Sequence, residues 1–196
     1  MQLAQPTPST KTTDKRIADI LASVRVAFAE KGFDGASMQD LARAAGISVG
    51  NFYRYFPSKS SIVEQLIAHD LAEMEQEFST IICSPDPLGD LRKQAALRID
   101  KHQCNKDGQL WAEITANALR KPEIGAACMV MESTISAYLH QVFVAATGLP
   151  AAEVKHRFSA HAALIILLIK SVSMMAPQSD AASDDLNALV LRTINQ

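Results

Sequence analysis

Residues 37–59, SMQDLARAAGISVGNFYRYFPSK, decide the fold. Ser37 is a good helix N-cap, and Asp40 three residues on makes a near capping box, its carboxylate at the positive end of the helix dipole. Leu41, Ala42 and Ala45 fall on one face, and Gly46 stands where a left-handed stop is expected. Ile47 then turns inward. Ser48 is placed to cap a second short helix that ends at Phe56 and Pro57, and Pro57-Ser58-Lys59 opens a third. Helix, glycine turn, helix is the outline of a helix-turn-helix reader.

The second helix has the chemistry of a DNA-reading element. Phe52 and Phe56, four apart, share one side and are expected to be buried. The other face presents Val49, Gly50, Asn51, Tyr53, Arg54 and Tyr55. Gly50 allows close backbone approach, Asn51 can read base edges, and the tyrosine hydroxyls and Arg54 can bond phosphate oxygens. Gln39, Val49, Gly50 and Asn51 are therefore the expected base contacts, with Ser48 beside them. Ser37, Tyr53, Arg54 and Lys59 are the expected phosphate contacts, Lys59 at the free N–H groups of the third helix.

The stretch GFDGASMQDLARAAGISVGNFYRYFPSKSSIVEQLI, with the preceding AFAEK, resembles the N-terminal domain of the TetR family of transcriptional regulators. The likeness rests on the tyrosine, aromatic-Phe-x-x-Lys run and on the Ser-capped AxxAGIS segment before it, and covers roughly the first third of the chain. It implies an all-helical homodimer that binds a palindromic operator on double-stranded DNA and releases it when an unidentified small molecule occupies the C-terminal domain. Asn51 departs from the pattern: family members often carry a small hydroxyl residue in the reading helix. The operator sequence is not readable from it.

Composition agrees with this division. The chain has 196 residues and net charge −2, which alone argues against nucleic acid, but residues 1–60 hold 8 Lys+Arg against 5 Asp+Glu, net +3, leaving 11 against 16, net −5, for the rest. The basic part holds the reader. Three cysteines, Cys83, Cys104 and Cys128, are odd in number without CxxC spacing, and a reduced cytoplasmic setting is the simplest account. Residues 1–13, rich in Pro, Thr and Ser, lack the apolar core of a signal peptide and read as a disordered arm. The most apolar run, Ala162 to Ile169, is far short of a membrane span.

Periodicity places the other helices. Ile17, Ile20, Leu21, Val24 and Phe28 mark an amphipathic helix from Asp14, its N-cap, to Lys31, with Gly32 as stop. Its basic start, Lys11, Lys15 and Arg16, suits a DNA backbone or a solvated helix end. A DNA-binding domain over 14–60 thus precedes a ligand-binding and dimerisation domain over 61–196. The helix from Ser58 to about Ile82 links them. Further helices carry Leu91, Ala95 and Ile99; then, after a turn at Asn105 to Gly108, Leu110, Trp111, Ile114 and Ala118. The next runs from Pro122 to Thr147, with Ile124, Cys128, Met131, Ile135, Tyr138 and Val142 on a stripe. Two more follow, Ala151 to about Met175 and, after a loop from Pro177 to Ala182, one capped by Ser183. The expected fold is all-α, a three-helix reader plus an antiparallel bundle, about nine helices with no strand.

Several sharper readings compete with plainer ones. Gly46-Ile-Ser48-Val-Gly50 matches the nucleophile elbow of serine hydrolases, but that motif needs a strand before the serine, and LARAA is helical. Ser48 reads as a cap, and no enzyme is expected. No metal centre or cofactor is expected either: His156 and His161 are five apart on different faces, and His102 near Cys104 lacks further ligands. His102, His140 and His161 read as core or pocket polar groups. Trp111, Met129, Met131 and Phe143 read singly as core, and the resemblance makes them, with His102 and His140, candidates for a ligand site between helices. Glu113 and Asn117 are expected to be solvated. The apolar circumference of Ala162 to Ile169 calls for contact on two faces, so Phe158, His161, Leu164, Ile165, Leu168, Leu186, Leu189 and Val190 are the expected dimer interface. The competing class is a constitutive or activating DNA binder whose C-terminal core is filled by its own side chains.

Overall fold

The computed structural model describes residues 8–103, 107–174 and 181–194, among which there are helices and no strand. Among these residues nine helices follow one another: α1 (Pro8–Lys31), α2 (Met38–Ala44), α3 (Val49–Tyr55), α4 (Lys59–Ile82), α5 (Pro87–Gln103), α6 (Asp107–Ala118), α7 (Pro122–Thr147), α8 (Ala151–Met174) and α9 (Ala181–Ile194). They fall into two compact units, Met1–His69 and Asp70–Gln196, with the boundary inside α4.

In the N-terminal unit α1 begins at Pro8, ahead of the expected cap at Asp14, so residues 8–13 of the expected arm are helical. Residues 1–7, and the side chains of Lys11 and Asp14, lie outside the described residues. Proline suits a helix's first turn, where its missing N–H has no partner to lose. The stop at Gly32 has a φ of 74°, the left-handed conformation glycine adopts without strain. Ile20, Leu21, Val24 and Phe28 of α1 bury with Phe33, Leu41, Ala42, Phe52, Phe56, Ile62, Val63 and Leu66. The Phe28 and Phe33 rings lie 5.1 Å apart, and those of Phe52 and Phe56 5.2 Å.

The C-terminal unit is a bundle centred on α7 and α8. Gly148, φ 68°, ends α7, and a short turn through Pro150 starts α8. The pairs Glu132–Lys170, His140–Ser159 and Phe143–Phe158 run in opposite senses along the two helices, which makes them antiparallel. Phe78, Ile81, Leu91, Leu139, Val142, Phe143, Val154 and Ala162 form the core, and Phe78 stacks on Tyr138 at 5.2 Å. An Arg98–Glu77 ion pair ties α5 to α4.

Two expectations change here. Gly108, read as a turn residue, is inside α6, where a Cβ would stand 2.1 Å from the Ser173 carbonyl oxygen; glycine is there for a close approach to α8. Ala181 and Ala182, read as loop, are helical, so Ser183 lies within α9 rather than at its cap. Cys104, Asn105 and residues 175–180 lie outside the described residues.

Candidate nucleic-acid interface

Local chemistry builds the reader. Ser37 caps α2 in a full capping box: the Asp40 N–H donates to Ser37 Oγ at 3.1 Å, and Asp40 Oδ2 accepts from the Ser37 N–H at 3.0 Å. The Ser37 hydroxyl also donates to Asp40 at 2.5 Å, and Lys31 Nζ reaches the same carboxylate at 2.5 Å. Lys31 first, then Ser37, hold the Asp40 carboxyl well below the usual carboxylate range. Gly46, φ 66°, turns the chain between the helices. Ser48 caps α3 by accepting from the Asn51 N–H at 3.2 Å. Its hydroxyl therefore belongs to a helix start within a helix-turn-helix, and the strand that a nucleophile elbow needs does not precede it.

This geometry sorts α3 by side. Phe52 and Phe56 are buried, while Gly50, Asn51, Tyr53 and Arg54 are exposed and Val49 and Tyr55 half-buried. On α2 Gln39 is exposed, and so is Arg43, one turn further along the same side. Sequence reasoning passed over Arg43, although its i+4 spacing from Gln39 was available. Ser37 and Ser48 are exposed as well, but both hydroxyls already take part in caps. Lys15 and Arg16, expected at the start of α1, are exposed two turns inside it.

Lys59 is placed differently from the expected phosphate contact. Its ammonium donates to the Phe33 carbonyl at 2.8 Å and to the Asp34 carbonyl at 2.9 Å, and lies 5.5 Å from the centre of the Phe33 ring. These carbonyls follow the C-terminus of α1, where a cation is favoured. Lys59 thus fastens the first residue of α4 to the turn between α1 and α2 and closes the three-helix cluster around α3.

The C-terminal candidates differ in how far they are buried. Phe143 is in the core against Phe158, at 5.6 Å, Trp111 and Met131 are half-buried, and Met129 is two-thirds exposed. His140 is half-buried at the surface between α7 and α8, its Nε2 3.3 Å from Ser159 Oγ. The His102 side chain lies outside the described residues. Asn117, expected in solvent, is buried at 3% exposure. Of the expected interface, Leu164, Leu186, Leu189 and His161 are exposed and Leu168 is half-buried. Phe158 and Ile165 pack partly on their own core, and Val190 is buried within its own unit. Leu167, which the reading missed, is the most exposed leucine of α8 at 59%. His69, Asp70 and Glu73 bring possible ligand atoms within 4.8 Å on α4, a group that histidine spacing did not reveal; among the described residues no ligand from a second element joins them.

Comparison with known proteins agrees with this geometry. Residues 20–66 match the family described as bacterial regulatory proteins, tetR family. The HTH-type transcriptional repressor KstR2 of Rhodococcus jostii is 32% identical over 81 residues, 40% of either protein, so the chain spans two fifths of that relative's length. In fold the chain is similar to Salmonella enterica GusR, at TM-score 0.70 and 22% identity over 100% of this chain and 97% of that one. It is also similar to AibR, solved in complex with isovaleryl coenzyme A and operator DNA, at TM-score 0.63 and 15% identity over 90% and 96%. Residues 20–66 are thus a segment of the kind found in the TetR family of bacterial regulatory proteins, on a chain that shares the fold of these regulators.

Proposed function

We propose that this protein is a transcriptional repressor that binds a palindromic operator as a homodimer and leaves it when a small molecule occupies the C-terminal unit. The observation that carries this reading is the sorting of α2 and α3: Gln39, Arg43, Gly50, Asn51, Tyr53 and Arg54 are exposed while Phe52 and Phe56 are buried. Gln39, Val49, Gly50 and Asn51 read base edges; Tyr53 and Arg54 fix the register on phosphates. The capped serines, Ser37 and Ser48, and the half-buried Tyr55 stand at the edge of that surface. Lys59 acts by holding the reader in place.

A second copy is supported by exposed leucines on α8 and α9: Leu164 at 43%, Leu167 at 59%, Leu186 at 37% and Leu189 at 54%. By length and composition α8 also passes as a membrane-crossing helix. Glu153, Lys155, His156 and Arg157 occupy its first turns, and Lys170 pairs with Glu132, so its uncharged apolar stretch is too short to span a bilayer. Covering by a partner's helices accounts for the leucines better. Two readers then sit about 34–36 Å apart, one turn of DNA.

Release by a ligand is supported by the fold shared with AibR, solved with isovaleryl coenzyme A and operator DNA. The ligand acts only if it binds the spread dimer more tightly than the DNA-competent one, and α4, continuous from Lys59 to Ile82, is the covalent route between the units. Selection of random duplexes by the purified protein tests the reading, with light scattering in parallel. A palindromic consensus and a dimer mass that Leu167→Glu reduces to that of the monomer are expected. An asymmetric consensus, or a monomer at micromolar concentration, refutes it.

A further inference from the structure

Leu110, Ile114 and Asn117 stand at i, i+4 and i+7 of α6, one side of the helix, at 1%, 0% and 3% exposure. A carboxamide thus continues an apolar stripe that faces the interior of the C-terminal unit. Its orientation is fixed, because Nδ2 donates to the Glu113 carbonyl at 3.0 Å and the flipped amide would set two oxygens against each other. Oδ1 is left as a fully buried acceptor that no donor among the described residues meets. The nearby backbone N–H groups do not serve it, since those of Arg120 and Lys121 donate to the main-chain oxygen of Asn117 at 2.9 and 2.8 Å.

The surroundings hold this atom in place. A Cβ on Gly125 would stand 2.9 Å from the Ala118 oxygen, so the first turn of α7 lies against the last turn of α6, and Thr115 Oγ1 contacts Met174 Sδ at 3.7 Å at the end of α8. A leucine, with the same branched outline but a larger volume, would bring no buried, unpaired acceptor.

We propose that Asn117 is the polar anchor of a ligand site inside the C-terminal unit, and that the ligand is a neutral, largely apolar molecule presenting one hydroxyl or N–H donor to Oδ1. This rests on reading that unit as the effector-binding one. An acceptor oxygen repels a carboxylate or phosphate at this point, and an ammonium buried among Leu110 and Ile114 would lack a counter-charge. The donor is therefore neutral.

The test titrates the full-length protein with matched pairs that differ only in the donor: phenol and anisole, 4-butylphenol and 4-butylanisole, 1-octanol and 1-methoxyoctane. Calorimetry reads affinity, and fluorescence of Trp111, the chain's one tryptophan and on the same helix, reports on the site. Each alcohol is expected to bind wild type about five- to tenfold tighter than its ether. Asn117→Leu should erase that preference. Equal affinities within the pairs, which do not require the variant to fold, overturn the anchor and leave the effector reading standing. A preference that survives in Asn117→Leu overturns it too. Failure of every probe to bind wild type overturns the anchor and leaves the effector reading to the selection and light-scattering test.

Discussion

Replacing Lys59 by methionine keeps the apolar stem and removes the ammonium that joins α4 to the turn after α1. Two charge-assisted hydrogen bonds, at 2.8 and 2.9 Å, are lost with it. Such bonds contribute about 1.5–3 kcal/mol each where sheltered. Lys59 is half-buried and the Asp34 carbonyl exposed, so water replaces part of the loss and about 2 kcal/mol in all is expected. For a chain of this length that lowers Tm by about 4–8 °C. The informative assay pairs thermal unfolding with operator binding across a salt series. A lysine on a phosphate would leave Tm unchanged and make the slope of log affinity against log salt shallower by about 0.9 on removal. A lysine that positions the reader lowers Tm and weakens operator binding, yet leaves the slope as in wild type, because no phosphate contact is lost. A wild-type Tm with a flattened slope would refute the clamp and return Lys59 to the DNA backbone.

Asn51→Ala removes a base-reading amide while sparing the cap, since Ser48 accepts from the backbone N–H of residue 51; preference for the operator over a base-substituted site should fall by about 1–3 kcal/mol in competition gel shifts. Gly108→Ala forces a methyl to within 2.1 Å of the Ser173 oxygen, so the start of α6 must move away from α8, and overpacking of this kind should cost about 1–3 kcal/mol in denaturant unfolding. Asp40→Asn tests the capping box by pH. The Asp40 carboxyl is held below its ordinary 3.8, so its stabilisation is complete above about pH 4 and is lost as pH falls further; the Tm gap between wild type and Asp40→Asn should be constant from pH 5 to 8 and close on acidification.

The N-terminal unit was legible because its determinants are local. Ser37, Asp40, Gly46 and Ser48 act on neighbours within four residues, and the structure places each in its expected role. The bounds of α7 were equally plain, set by Pro122 and Gly148. What failed depended on partners distant in the chain. Lys59 was read with its neighbours, but its oxygens belong to residues 25 and 26 positions earlier. Gly108 signalled a turn until Ser173 came up against it.

Asn117 and the α8–α9 surface mark a different boundary. Asn117 was read as lying off the Leu110/Ile114 stripe, with Ala118 taken as its continuation, yet at i+7 from Leu110 it shares the buried side of α6. Phe158, Ile165 and Val190 resemble Leu164, Leu167 and Leu189 in composition, yet the first three pack wholly or partly on their own unit and the others stay substantially exposed. Apolar area removed from water stabilises whichever surface covers it, so hydrophobicity alone does not say whether the covering surface is the same chain or a second copy. Only the positions left exposed after one chain has folded carry that information, and Leu167→Glu is accordingly a sharper test of association than any substitution at Val190.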